Sequence, residues 1–346
     1  MRTGVFYEQY LSEERMWNTP VKRWWVAVLV VLLLTLPFWS TKYLLAMACI
    51  IGIHILATLG LNLTTGNAGL ISLSHGAFLG VGCYTVAYLG KMGVPFFITL
   101  PIAGLLAAAL GVVVGLPSLR VKGIYLAIAT LAAHFLLTFV FREWGSVTGG
   151  IQGTSIPKAS LFGYALSGDF DNFYLIYGLV FLMAVAARNL ARTYIGRAFI
   201  AVRDRDISAE ILGVHLLTTK LQAFAIGAFY AGVAGGVLGY FYGAITPEYF
   251  SLNLSIFYLA AVITGGLGSV LGSVLGAVFM TFVPELLRLL ANLGAQSFPG
   301  LAGIVLPMGQ VVFGLLIIGF LVFEPHGLTA VWRRIQRVFH LWPFKT

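Results

Sequence analysis

The chain has 346 residues, 59% of them hydrophobic and 10% charged, with a formal net charge of +9. A soluble protein carries about a quarter charged residues, so a large soluble domain is excluded. The apolar runs lack the period-two alternation of a β-barrel. The positive charge gathers in a few loops, which fits membrane orientation and argues against a nucleic-acid partner.

In chain order, residues 1–23 are charged and lack a small-residue cleavage site, which predicts a cytoplasmic extension ahead of a retained anchor rather than a signal peptide. Apolar segments, most near the length that crosses a hydrocarbon core about 30 Å thick, then fall near 24–39, 43–63, 68–90, 95–117, 123–142, 172–190, 217–241, 253–266, 269–290 and 303–323. The expectation is an all-α polytopic membrane protein of about ten transmembrane helices (range eight to ten), spread over a domain at 24–323. The third and eighth segments stand open to being broken or re-entrant rather than full crossings. With the N-terminus inside, all but Lys42, Lys91, Arg142, Lys158 and Arg288 of the 21 Lys and Arg fall on the cytoplasmic side. An even span count also returns the basic tail at 324–346, with its VWRRIQRVF, to the cytoplasm.

Two glycine-rich stretches interrupt this pattern. TGNAGLISLSHGAF at 65–78 has a partial echo in TGGLGSVLGSVLGAVF at 264–279, a weak internal repeat across the two halves. Gly-interrupted hydrophobic segments at corresponding positions of two halves point to a transport pathway, because non-helical backbone survives at membrane depth only inside protein or against a cavity. Gly66, Asn67, Gly69, Ser72, Ser74 and His75, with Gly265, Gly266 and Gly268, are the candidate pathway residues. For the second stretch, helix packing is the stronger alternative, since Gly265, Gly268, Gly272 and Gly276 step by three and four along one helical face.

Catalysis has little support. Ser74 and His75 are adjacent, so on a helix their side chains diverge by about 100°, and no acid lies near them in sequence. His54 and His134 read as neutral, hydrogen-bonded core residues. The acids lie at span ends or in loops, which weakens a proton-coupled carrier. Cys49 and Cys83 fall inside spans and imply neither a disulfide nor a metal site. No catalytic residue, metal ligand or cofactor is assigned to the chain.

Two long connections remain. The external stretch 143–171, rich in Gly and Pro, predicts an ordered cap or short interfacial helix. The arm at 188–216, RNLARTYIGRAFIAVRDRDISAEILGVHL, predicts a short helix with Asp206 as N-cap, Glu210 in its first turn and Gly213 as its stop. Such a helix suits docking into a partner's groove.

GLNLTTGNAGLISLSHGAFLGVGCY at 60–84, TGGIQG at 148–153, AVRDRDISAEILGV at 201–214, KLQAFAIGAFYAGVAGG at 220–236, ITPEYFSLNLSI at 245–256, VITGGLGSVLGSVLGA at 262–277 and FEPHGL at 323–328 occur in this order. Together they resemble the permease subunits of bacterial branched-chain amino acid ABC importers, of the LivM type, over roughly 44–330. The resemblance implies an inner-membrane subunit that translocates branched-chain or related amino acids. It also implies a second related permease, two cytoplasmic ATPase subunits and a periplasmic substrate-binding protein. By the same resemblance, Arg203, Asp204, Asp206, Ala209, Glu210 and Gly213 form the region that contacts an ATPase. The chain contains no G-x-x-x-x-G-K-[ST] phosphate loop, so ATP and Mg belong to the partners. The charged extension before Trp24 and the presence of His134 depart from the family pattern. The alternatives are a permease for urea or short-chain amides, where the TGN at 65–67 leans toward amino acids over urea, and, from another class, an ion-coupled secondary carrier.

Overall fold

A computed structural model describes residues 20–158, 160–161, 164–165, 168–297, 311, 314–315, 318–319, 322, 324 and 327–341. Most of the expected extension at 1–23, most of the expected tenth span at 303–323 and the last residues of the tail lie outside them.

The described chain is mostly helical. The helices are α1 (Pro20–Trp39), α2 (Lys42–Leu61), α3 (His75–Lys91), α4 (Phe96–Gly115), α5 (Ile124–Glu143), α6 (Asp169–Arg192), α7 (Tyr194–Ile211), α8 (Leu216–Tyr242), α9 (Leu252–Gly265), α10 (Val270–Ser297) and α11 (Leu328–Leu341). Among the described residues, six helical segments are long and apolar enough to cross a membrane: Lys42–Asn67, Phe96–Gly115, Ile124–Glu143, Asp169–Arg192, Leu216–Tyr242 and Val270–Arg288. These match the second, fourth, fifth, sixth, seventh and ninth expected segments, and α1 covers the first.

The third segment differs from a crossing over 68–90. Helix α3 starts only at His75 and has 17 residues, about 26 Å, short of a hydrocarbon core. The eighth segment, α9, has 14 residues and is shorter still. Both belong to interrupted helices.

Helix α8 is the axis of the bundle, packed against α4, α3 and α2. Its sequence explains the position. Small residues recur through GAFYAGVAGG, so neighbouring backbones approach closely. A Cβ on Gly235 would overlap the Leu79 carbonyl, and one on Gly82 would overlap the Gly232 carbonyl. Helices α3 and α8 therefore cross in backbone contact. Gly111 of α4 is similarly close, with a Cβ there 2.5 Å from that of Ala228.

Loops gather at the two ends of the bundle as alternate crossings require. At one end lie residues 66–69, 120–123, 202–206, 266–268 and 327, linked by the contacts given below. At the other, strand β1 (Thr154–Ser155) pairs antiparallel with β4 (Ala244–Ile245), while β2 (Ser160–Leu161) and β3 (Tyr164–Ala165) form a small hairpin. The expected cap at 143–171 is thus built from a helical turn at Gly145–Thr148, a 3-10 turn at Gly150–Gln152 and these strands. The Ile156 amide donates to the Gly243 carbonyl at 2.8 Å, the Lys91 ammonium donates to the Thr154 hydroxyl, and Pro157 packs on Gly90.

Candidate functional site: two interrupted helices and a kinked arm

Helix α2 does not stop at Leu61. It widens into a π-helical turn over Asn62–Asn67, so the helical rod spans 26 residues. The chain then leaves helical geometry for residues 68–74, with Gly69 at φ +71°. That segment climbs back into the bundle. His75 Nε2 donates to the Ala57 carbonyl at 2.8 Å, and Ala57 lies ten residues before Asn67, so the climb is about 15 Å. Backbone groups of this segment find partners in flanking and neighbouring elements: Leu70 N–H donates to Thr64 O at 3.1 Å, Leu73 N–H to Thr130 Oγ1 at 3.0 Å, and Leu70 O accepts from Thr65 Oγ1 at 3.1 Å. This is how irregular backbone is tolerated inside a membrane protein.

The polar residues of this stretch are buried. Ser72 and Ser74 hydroxyls lie 3.1 Å apart, and Ser255 Oγ accepts from the Gly76 amide at 2.8 Å. Ser255 Oγ also lies 3.4 Å from His134 Nδ1, while His54 Nδ1 meets the Tyr258 hydroxyl at 2.9 Å. All three intramembrane histidines are therefore hydrogen-bonded members of the core around α9. Ser74 engages Ser72 rather than His75, so no nucleophile–base pair forms there.

The second interruption faces the first. Helix α9 ends at Gly265. Gly266 (φ +120°) and Gly268 (φ +74°) then turn the chain into α10. The glycines expected on one helical face do not share one. Gly265 closes α9, Gly272 and Gly276 belong to α10, and a Cβ on Gly265 would strike Gly272 O and approach Gly276 Cα. They oppose one another, which lets α10 fold back tightly along α9, whereas Gly268 sits in the turn.

Asn62 clamps the two interruptions together. Its Nδ2 donates to Ser269 O at 2.8 Å and to Ser273 Oγ at 2.7 Å, and its Oδ1 accepts from Gly268 N–H at 2.8 Å. A void of about 20 Å³ remains beside it, lined by residues that include Asn67, Gly268 and Ser273. That is room for about one water molecule and far too little for an amino acid. In this conformation the interruptions are sealed.

The arm is more helical than its composition suggests. Helix α7 begins at Tyr194, capped by Thr193 Oγ1, which accepts from Gly196 N–H at 3.5 Å. It is kinked at Arg205 (φ −157°, ψ 102°). The expected N-cap at Asp206 is displaced by one residue: Arg205 takes the extended conformation that a cap position needs, and Asp206 is already inside the second piece. Its carboxylate is engaged elsewhere, accepting from Ile207 N–H at 3.0 Å and forming an ion pair with Lys122. The Lys122 ammonium holds the Asp206 carboxyl below the usual carboxylate range. Glu210 is exposed and Ala209 buried. Gly213 (φ +87°) ends the helix as expected: its N–H donates to Glu210 O, and Val214 N–H to Ala209 O, each at 2.9 Å. That pair of bonds is a Schellman motif.

Arg203 carries the arm to the interruptions. Its Nη1 donates to Gly66 O at 2.9 Å and its Nε donates to Asp204 at 3.1 Å. Its stem crosses Gly69, where a Cβ would come within 2.7 Å of Arg203 Cγ, and its guanidinium lies beside Gly268. Below this contact opens a cleft of about 230 Å³ lined by residues of the interruption, of α5's entry and of the arm. On the arm's outer side Ile207, Ile211 and Leu212 are exposed, the last two at 82%.

Of the sequence-derived candidates, Gly66, Asn67, Gly265, Gly266, Gly268 and Arg203 come together at one end, whereas Ser72, Ser74 and His75 lie deeper. Asn62, Lys122, Ser255 and Ser273 escaped the sequence reading. Only Asn62 offered a signal there, as an amide within an apolar run. Among the described residues no three His, Cys, Asp or Glu side chains gather as a metal site.

Two interrupted helices clamped inside an apolar bundle, with a capped arm reaching them from outside, define a polytopic membrane protein of transporter type. The family model for the branched-chain amino acid transport system permease component matches residues 43–321. The high-affinity branched-chain amino acid transport permease LivM of Escherichia coli K12 is 33% identical, over 91% of this chain and 77% of its own length. A probable branched-chain amino acid transport permease LivH of Methanocaldococcus jannaschii is 27% identical, over 82% of this chain and 91% of its own. No solved structure gives a significant match. The chain belongs to the branched-chain amino acid transport permease family.

Proposed function

We propose that the chain is the translocating subunit of an ATP-driven importer of branched-chain or related amino acids in the bacterial inner membrane. It works beside a second related permease, two cytoplasmic ATPase subunits that hold ATP and Mg, and a periplasmic substrate-binding protein. The observation that carries this reading is the bond from Arg203 to Gly66 O at 2.9 Å. It joins the arm to the end of the first interrupted helix, beside the glycine turn of the second.

The exposed Ile207, Ile211 and Leu212 form the apolar face offered to the ATPase, with Glu210 beside them. A patch of this kind on a capped, rigid helix suits a protein partner. When nucleotide closes the ATPase pair, the arm moves, the Arg203 bond and the Asn62 clamp change partners, and the seal opens. A ligand shifts such an equilibrium only through contacts that differ between the two states, and these are the contacts available to differ.

The test is uptake in cells carrying Glu210→Lys or the paired reversal Arg203→Glu and Arg205→Glu. Both are expected to abolish uptake while leaving the subunit in the membrane. Wild-type uptake by either would remove the arm from the mechanism. Binding measurements on the secreted partner decide between amino acids and the urea or amide alternative.

A further inference from the structure

Helix α11 has no role in the transport reading. Its 14 residues, LTAVWRRIQRVFHL, would span about 21 Å, too short to cross a bilayer. In helical register, Leu328, Val331, Trp332 and Ile335 fall within an arc of about 100°, and Val338 and Phe339 continue it. Arg333, Arg334 and Arg337 fall outside that arc, and the helix contains no acid. The apolar arc is not consumed by the bundle, since Trp332 is 45% exposed and Ile335 43%.

The start of the helix is fixed. Gly327 (φ +72°) lies against Gly266, where a Cβ would come within 2.7 Å of the Gly266 amide nitrogen. Thr329 is buried, and Arg334 pairs with Glu324 at 3.3 Å. Gly266 is two residues from Gly268, which borders Arg203. The helix therefore leaves the bundle at the same end as Lys122, Arg203 and Arg205, the end to which basic residues are biased.

We propose that α11 lies in the plane of the membrane surface and that its partner is anionic phospholipid. Its apolar arc enters the acyl boundary and its arginines meet the headgroup phosphates. A narrow apolar arc with an aromatic, opposed by a face whose charges are all basic, is the composition of interfacial helices. Among the described side chains only Arg334 has an acid beside it, Glu324, and the helix's own charges are all positive; such a face complements an anionic surface better than it complements a protein face of mixed charge.

Cys49 and Cys83 are both buried, so an introduced surface cysteine takes a fluorophore selectively. Full-length Trp332→Cys and Arg333→Cys variants, labelled and placed in nanodiscs of phosphatidylcholine with or without phosphatidylglycerol, report the depth of each face. The expected result is a several-fold fall in quenching of position 332 by aqueous iodide when phosphatidylglycerol is present, with position 333 remaining accessible. Adding Arg333→Glu and Arg337→Glu to the labelled Trp332→Cys chain should remove the lipid dependence. Equal quenching at 332 in both lipids would overturn the proposal, as would protection that appears only when the ATPase subunits are added. Neither readout depends on transport.

Discussion

Asn62 uses both ends of one amide on the facing chain segment, and three polar groups there depend on it. Removing a partner from buried polar groups costs about 1–3 kcal/mol. Asn62→Ala is therefore expected to lower the thermal midpoint in detergent and to loosen the seal. Asn62→Asp keeps the acceptor for Gly268 but loses both donors, so it should rescue little. The Lys122–Asp206 pair is a smaller contribution, because Lys122 is largely exposed. The Asp206 carboxyl is depressed in the folded chain. Its contribution is thus fully present above the unfolded carboxylate value near about 4 and is lost as pH falls through the lower folded value. Asp206→Asn should cost roughly 0.2–1 kcal/mol at neutral pH, with variant and wild type converging in acid. Equal stability at neutral pH would leave the pair without a role.

The helices make sharper demands than their apolar composition implies. At the α3–α8 crossing, a methyl group on Gly235 would meet backbone rather than a movable side chain. Gly235→Ala is expected to cost about 1–3 kcal/mol through overpacking. Gly178→Ala in α6 has open space around it and should cost nothing, a matched control for detergent melting. Gly213 poses a different problem: its surroundings are empty, so Gly213→Ala meets only the strain of a positive φ, about 1–2 kcal/mol. That should fray the arm's last turn and weaken stimulation of the ATPase subunits, with membrane insertion unaffected. The sequence revealed the stop at Gly213 because a helix terminus is a local matter. It placed the N-cap one residue late because the partner of Asp206 is Lys122, more than eighty positions away.

For the molecule as a whole, purified chain in liposomes is expected to move no substrate down an ion gradient. Flux by the isolated chain would favour a secondary carrier. Crossing segments were legible in the sequence because hydropathy and length are properties of single stretches. The interruptions at 68–74 and 266–269 were legible through their glycines. The face those glycines occupy was not legible: Gly265, Gly272 and Gly276 share a spacing but not a helix, and spacing alone does not say where a helix ends. The cluster in which Ser255 meets the Gly76 amide and His134 was hidden because its members come from three distant segments. Nothing in an apolar run announces which serine faces it.

At the end of the bundle away from the arm, β1 and β4 are joined by backbone pairing, and the Lys91–Thr154, Ile156–Gly243 and Pro157–Gly90 contacts reinforce the joint. That face of the chain is riveted into one plate, so in the proposed assembly a gate on that side would part along the seam with the second permease rather than through this chain. A disulfide introduced across positions 155 and 244 should accordingly leave import running, while a crosslink from the same plate to the companion subunit should stall it.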